Sequence, residues 1–504
     1  MTNHLIDEIR SRISDEAKTF LETPGGQKLT YGQVIARSGQ FANALQALGV
    51  SPGDRVAVQV EKSPEALLLY LATVRAGAIF LPLNTAYTPA EIGYFVGDAE
   101  PKVLVCDPAR VASLSDIAGG VGAGVETLDA NGSGSLRENA DAASSAFEDV
   151  ARGPDDLAAI LYTSGTTGRS KGAMLSHENL ASNARTLVDY WRFSKDDVLL
   201  HALPIFHTHG LFVATNVTLM AGGSLLFLAK FDLGEVLRLL PRATSMMGVP
   251  TFYTRLLSTS DFTRDLVAHM RLFISGSAPL SAEVHKEFSE RTGHAILERY
   301  GMTETNMNTS NPYDGDRRPG TVGFPLPGVD LRIADPETGK VLEDGEVGVI
   351  EVKGPNVFKG YWRMPEKTAE EFRADGFFIT GDMGVIDKWG YVSIVGRAKD
   401  LIISGGFNVY PAEVEALIDE IPGVAENAVI GVAHPDFGEG VVAVVAKKPG
   451  AELSADSVRE ALVDKLAKFK QPKTVYMVDQ LPRNTMGKIQ KNVLRDTYKD
   501  TFAG

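Results

Sequence analysis

Through most of its length the chain alternates short β-branched runs with longer helical patterns, and this alternation narrows the fold more than any other feature. DRVAVQV, starting at Asp54, reads as a strand, PEALLLYLATVRAG from Pro64 as a helix with Pro in its first turn, and KVLVC from Lys102 as the next strand. SLLFL from Ser224, FDLGEVLRLL from Phe231, SMMGV from Ser245 and RLFISG from Arg271 continue the series. Strands separated by helix-length crossovers give α/β layers with mostly parallel sheets. With 504 residues, 44% of them hydrophobic, the chain fills more than one core, so a large lobe with an appended domain is expected. Residues 119–146, rich in Gly, Ala and Ser without a period, are expected to form a surface excursion.

The C-terminal part has its own character. PAEVEALIDEI from Pro411 is a short helix, NAVIGVAH and GVVAVVAKK are strands close enough to pair, and SADSVREALVDKLAKFKQP from Ser454 is a helix that Pro472 should stop. That helix places Val458, Leu462, Leu466 and Phe469 on one face. The result is a compact α+β unit, and VGRAKDLIISGG, Val395 to Gly406, is the expected joint.

Charge and cysteine content exclude several classes. Net charge is −14 and no stretch concentrates Lys and Arg, which argues against nucleic-acid or anionic-membrane partners. Cys106 is the single cysteine, so no intrachain disulfide or cysteine-based zinc site forms, and a reducing, cytoplasmic setting is expected. The first residues carry acidic groups and no apolar run, unlike a secretory signal. The most apolar long window, from Ala66, is interrupted by Arg75 and reads as a buried helix and strand, not a membrane span.

TSGTTGRSKG, from Thr163, has the composition of a flexible linker or of a loop that wraps phosphate. It lies between two apolar strand patterns and carries Arg169 and Lys171, which favours phosphate. Glycines there allow backbone N–H groups to form a concave nest, hydroxyls add donors, and Lys171 adds a point charge. The spacing does not match the GxxxxGK[ST] loop.

YTSGTTGRSKGAMLSH resembles the signature of the AMP-forming acyl-CoA synthetases, the adenylate-forming superfamily. ERYGMTET from Glu298, GFFITGDMGVIDKWGYVSIVGRAKDLIISGGFNVYPAEVE from Gly376 and LPRNTMGKIQK from Leu481 match its other signatures in order, so the resemblance spans nearly the whole chain. It implies a large N-terminal lobe, residues 1–398, and a small mobile C-terminal domain, residues 399–504, hinged at Lys399. It also implies a two-step reaction in which a carboxylate attacks the α-phosphate of ATP and CoA then displaces AMP. Such chemistry depends on placed cations and donors more than on a protein nucleophile.

The resemblance assigns roles residue by residue. Thr163, Ser164, Gly165, Thr166, Thr167, Gly168 and Lys171 would hold the β- and γ-phosphates. Ser277, Ala278 and Pro279 would line the adenine pocket, with Glu298, Tyr300 and Gly301 beside it and Tyr300 stacking on the ring. Thr303 would contact phosphate and Glu304 would help hold Mg²⁺. Asp382 would take the ribose hydroxyls, and Arg397 ribose or phosphate. Lys488 would bridge the substrate carboxylate and α-phosphate during adenylation. Ser404, Gly405 and Gly406 would face the pantetheine of CoA after the C-terminal domain rotates. PRNTMGK further resembles the surroundings of lysines controlled by an acetyltransferase and deacetylase, which implies Lys488 as an acceptor.

The acid is less constrained. LPIFHTHGLF brings His207 toward the acyl site, where it is either a packed helix-start histidine or an acid contact, and Met302 lies beside the same turn. Arg299 is either a solvated partner of Glu298 or, if turned inward, a bidentate fork for a second carboxylate. With GVPTFYTRLL, which carries Arg255, this stretch resembles the malonyl-CoA synthetases, implying malonate or methylmalonate. On helical spacing Arg255 can equally face solvent. The alternatives are a short-chain or aryl monocarboxylate–CoA ligase and a non-catalytic nucleotide-binding protein.

Overall fold

The computed structural model describes residues 3–163, 170–405, 407–484 and 487–503. It is an α/β fold with a large N-terminal part and a small C-terminal one. Three sheets build the large part. A six-stranded sheet runs Gly124–Thr127, Val103–Cys106, Arg55–Gln59, Ile79–Pro82, Leu157–Thr163, Lys171–Ser176. A nine-stranded sheet has at its centre the parallel strands Ser224–Phe227, Val198–His201, Ser245–Gly248, Leu272–Ser275 and Leu297–Met302, in that order. A four-stranded antiparallel sheet, Asp330–Ala334 to Val392–Arg397, follows.

The helix Pro64–Arg75 shows how sequence sets these layers. Ser63 caps it by accepting from the Ala66 N–H, and Pro64 occupies the first turn, where no N–H is needed. Every residue of the helix is buried, Arg75 included, because Arg75 pairs with Asp149 through Nε at 2.5 Å. Among the described residues no helix is long and apolar enough to cross a membrane.

The C-terminal unit is a five-stranded sheet, in which Val424–His434 and Gly438–Lys447 form the long antiparallel pair, flanked by helices Pro411–Asp419, Ala455–Leu462 and Lys491–Tyr498. Valines of the pair fill cores on both faces.

Two local expectations are corrected. Residues 119–146 are not merely a surface excursion: Gly124–Thr127 adds an edge strand in register with Val103–Cys106, and helix Ser135–Ala142 buries Leu136 and Ala140. The helix from Ser454 ends at Leu462, well before Pro472. Val463 turns outward, and Phe469 leaves the helical path to stack on Phe407 with ring centroids 4.8 Å apart.

Candidate active site

The parallel strands of the nine-stranded sheet end side by side, and their C-terminal ends supply the residues of one cleft. His201 aligns with Met247, Gly248 with Ser275, and Ser275 with Glu298. Ligands of open α/β sheets bind beyond such carboxyl ends. The strand Leu297–Met302 then turns back through Thr303–Thr305 into Asn306–Ser310. Gly301 permits this close return, since a Cβ there would lie 1.9 Å from the Asn306 carbonyl oxygen.

The turn delivers Glu304, buried, to the end of the strand Leu157–Thr163. Its Oε1 accepts from the Tyr361 hydroxyl at 3.1 Å and faces Thr163 Oγ1 at 3.4 Å. Burial raises the Glu304 pKa, against its hydrogen bonds and the nearby charges of Arg397 and Lys171. Lys171, also buried, pairs with Glu371 at 3.2 Å and lies 4.0 Å from the centre of the Tyr361 ring. Thr303 is half-buried in the same turn. Ser164, Gly165, Thr166, Thr167 and Gly168 lie outside the described residues.

A second cluster joins two sheets. Asp382 and Arg397 are register partners in the four-stranded sheet, with Nε 2.6 Å from the carboxylate. The Tyr300 hydroxyl donates to the other oxygen of Asp382. The charge of Asp382 holds the Arg397 pKa above its usual value. Glu298 is buried, and desolvation pushes its carboxyl up to about 8 against a backbone hydrogen bond from Gly320.

The third cluster surrounds Arg299. Arg299 is 3% exposed, and among the described residues nothing accepts from its Nε or Nη2. Its guanidinium lies over Gly276, where a Cβ would come within 2.4 Å of Cζ. Burial lowers its pKa to about 9, with Tyr253 opposing. His207 and His209 flank it. Burial and then the charges of Lys488 and Arg299 push His207 down to about 3; burial and Arg299 act likewise on His209. Both imidazoles are neutral at pH 7. His209 Nδ1 lies 3.2 Å from Ser277 Oγ, and Ser277 takes a left-handed φ of 71°. Such strain in a non-glycine residue is held by its surroundings and concentrates at functional sites. Met302 packs half-buried at the hairpin end, while Ala278 and Pro279 are exposed on the following loop.

Lys488 closes the cleft from the C-terminal unit. Its loop is pinned by reciprocal bonds, Lys488 N–H to Asn484 Oδ1 and Asn484 N–H to the Lys488 carbonyl, each 2.9 Å, and Gly487 has a φ of 76°. Lys488 is exposed at the mouth of the cleft. Desolvation and Arg397 lower its pKa, while Asp382 and Glu304 oppose. One ammonium thus sits within the fields of all three clusters.

Other expected residues stand apart. Arg255 does not join Arg299: it is exposed on helix Pro250–Leu257, 5.8 Å over the Phe231 ring, because the helix turns Tyr253 and Leu256 inward. Lys399 is exposed in the short turn Ala398–Asp400. Ser404 is buried in the strand Ile402–Ser404, Gly405 follows at φ 61°, and Gly406 lies outside the described residues. Ile403 and Phe407 beside them are exposed. Sequence reasoning missed Tyr361, Glu371 and His209. His209 was signalled by its place in HTHG, whereas Tyr361 and Glu371 reach the site only through the tertiary bridge of Tyr361 to Ala173.

The cleft therefore combines a buried lysine beside Glu304 and Tyr361, a carboxylate–tyrosine–arginine set, a buried guanidinium whose Nε and Nη2 lack an acceptor among the described residues, and a lysine within the fields of all of them. Known proteins resemble this chain over most of their length. Residues 12–362 match the AMP-binding enzyme family and residues 413–488 the AMP-binding enzyme C-terminal domain. ATP-bound MatB from Rhodopseudomonas palustris is 64% identical, superposes with a TM-score of 0.98, and each chain covers 100% of the other. The apo form of MatB superposes with a TM-score of 0.87. A feruloyl-CoA synthase from Amycolatopsis sp. is 37% identical over 97% of both chains. A malonate–CoA ligase from Arabidopsis thaliana is 34% identical over 97% of this chain and 88% of its own. With the family pattern covering most of the sequence and the cleft built from its signatures, the chain belongs to the AMP-binding enzymes, as an AMP-forming CoA ligase with ATP and CoA as co-substrates.

Proposed function

We propose that the protein joins malonate, or its methyl derivative, to coenzyme A. One malonate carboxylate oxygen attacks the α-phosphorus of ATP and pyrophosphate leaves. The CoA sulfur then attacks the acyl carbon of malonyl-AMP and AMP leaves. The observation that carries the acid is Arg299: a buried guanidinium whose Nε and Nη2 have no acceptor among the described residues, beside His207 and His209. A desolvated cation of this kind is costly unless an anion meets it. The second carboxylate of malonate supplies that anion, while a monocarboxylate leaves it bare. The similarity to a malonate–CoA ligase supports the same reading.

Residue roles follow from the three clusters. Lys488 neutralises charge between the attacking carboxylate and the α-phosphate; one such donor contributes about 10²–10³ in rate. Lys171, Thr163, Thr303 and the loop residues 164–168 hold the outgoing phosphates. Asp382, with Arg397, takes the ribose hydroxyls; Tyr300 and the Ser277–Pro279 segment flank the base. His207 and Met302 border the acid. Glu304 fits a Mg²⁺ site, since its buried carboxylate offers hard oxygens beside Thr163 and, among the described residues, the side-chain bonds to it come from the Tyr361 and Thr163 hydroxyls and both go to Oε1. When bound, Mg²⁺ supplies neutralisation of the triphosphate charge.

Thioester formation requires the unit after Lys399 to turn, taking Lys488 out and bringing Ser404–Gly406 toward the pantetheine. The unequal superpositions on ATP-bound and apo MatB support a chain with more than one arrangement. Acetylation of Lys488 by a lysine acetyltransferase would cancel its charge and stop adenylation; equal adenylation by acetylated and unmodified enzyme would refute that control. The single buried thiol supports a cytoplasmic setting, which cell fractionation checks.

Pyrophosphate release, measured with ATP, CoA and a panel of malonate, methylmalonate, acetate, butyrate and ferulate, tests the substrate. Malonate or methylmalonate should lead. A monocarboxylate well ahead of both refutes the assignment.

A further inference from the structure

Lys62 lies where the two larger sheets meet. It follows the strand Arg55–Gln59 of the six-stranded sheet and precedes Ser63, the cap of helix Pro64–Arg75. Its buried side chain crosses to the other sheet, at the end of Val198–His201. Nζ donates to the carbonyls of His201 at 2.8 Å and Leu203 at 2.9 Å, and lies 2.9 Å from His201 Nδ1. The Phe227 ring centre lies 4.2 Å away. Three acceptors surround Nζ, as many as an ammonium has protons, while burial lowers the Lys62 pKa well below its usual value.

The pattern fixes the imidazole. With Nδ1 accepting from Lys62, the His201 proton is on Nε2, which donates to the Gly210 carbonyl at 2.8 Å. That carbonyl also accepts from Thr215 Oγ1 at 3.0 Å. Gly210 belongs to the π-helical segment His209–Thr215, and it is wedged in place: a Cβ would lie 2.0 Å from the Pro204 carbonyl oxygen. The same segment presents His209, with His207 just before it, to Arg299.

We propose that Lys62 and His201 are positioning residues for the acid. Neither faces the reacting atoms. Through Gly210 they keep the π-turn wound and so set the wall that His207 and His209 form around the guanidinium. π-helical turns are rare and persist where their surroundings impose them. Released from its clamp, the segment relaxes toward an α-helix, and a one-residue shift in register turns a side chain by about 100°. The acid then loses its wall while the Asp382–Arg397 and Glu304–Lys171 clusters, on other strands, keep theirs; Ser277, bonded to His209, is the one nucleotide contact beside the segment. The proposal rests on the acyl pocket lying at Arg299, as in the function proposed above.

The test begins with the wild-type enzyme on the acid panel, and the best acid is then used with two variants. Lys62→Met removes the ammonium at similar length. His201→Asn retains an oxygen for Lys62 and cannot reach Gly210. Both variants should raise KM for the acid by about tenfold or more and leave KM for ATP within about twofold, the split expected when only acid binding is disturbed. If Lys62→Met does not fold, His201→Asn decides alone. An unchanged acid KM, equal rises in both KM values, or failure of both variants to fold overturns the positioning role. A wild-type preference for a monocarboxylate refutes the malonate assignment instead, and the variants are then judged with that acid.

Discussion

Arg299 sets stability against substrate affinity, and Arg299→Met separates the two. In the free enzyme the guanidinium is buried without a carboxylate partner among the described residues, and its pKa falls from 12.5 to about 9. At 1.36 kcal/mol per unit, holding the charge there costs roughly 5 kcal/mol. The unfolded chain binds the proton more tightly, so this cost is complete below pH 9 and is relieved between pH 9 and 12.5. Replacing a buried ionic group with an apolar side chain of similar size is often neutral or stabilising by about 1–4 kcal/mol. Arg299→Met should therefore unfold at higher denaturant concentration than the wild type at pH 7. With malonate the sign reverses. Removing one partner of a buried pair costs about 3–5 kcal/mol, which lowers kcat/KM for malonate by about 10²–10⁴. Steady-state pyrophosphate release measures the second effect, with butyrate as the control that has no second carboxylate. A variant less stable than wild type would mean that Arg299 has structural partners after all. Equal losses on malonate and butyrate would refute the pairing.

Three further outcomes are expected. Lys488→Ala should slow acyl-AMP formation by about 10²–10³, followed by isotope exchange between pyrophosphate and ATP, yet still convert supplied malonyl-AMP and CoA to thioester; equal loss in both half-reactions contradicts the division of labour. Glu298 has its pKa raised from 4.5 to about 8 by burial, so the folded state binds more protons than the unfolded one and wild-type stability falls as pH rises across that window. Glu298→Gln should match wild type near pH 5 and exceed it near pH 8 in denaturant melts, and parallel curves for the two proteins would show that Glu298 does not titrate this way. Gly276→Ala places a Cβ 2.4 Å from Arg299 Cζ, so the guanidinium must shift; KM for malonate should rise while KM for ATP holds, and unchanged malonate kinetics would place the acid elsewhere.

The sequence displays what is periodic or contiguous. The parallel strands were legible because β-branched runs alternate with helix-length segments, and Glu304 and Lys488 because each lies in a short motif. Burial was not legible. Arg299 next to Glu298 reads equally as a solvated ion pair, and only the neighbouring strand end at Gly276 shows it enclosed. Tyr361 joins Glu304 and Lys171 through a bridge to Ala173, a pairing across sheets that no local pattern announces. The strand Gly124–Thr127 was hidden by the Gly- and Ala-rich residues around it, and the stacking of Phe469 on Phe407, beyond the helix that ends at Leu462, is a distant contact that helical spacing does not announce.

Strand geometry explains why one short motif serves two substrates. Successive side chains of a strand point to opposite faces. Tyr300 reaches Asp382 and the nucleotide cluster, so Arg299, one residue earlier, turns toward Gly276, His207 and His209. Under the proposed function, nucleotide and acid would be read from opposite faces of Leu297–Met302, with their reacting ends beyond it, where the strand turns at Thr303 and the field of Lys488 reaches both clusters. Changes on the Arg299 face alter the acid while sparing the Tyr300–Asp382–Arg397 set. A change to Gly301, whose missing side chain lets the returning strand pass, shifts both faces together and should damage ATP and acid binding alike.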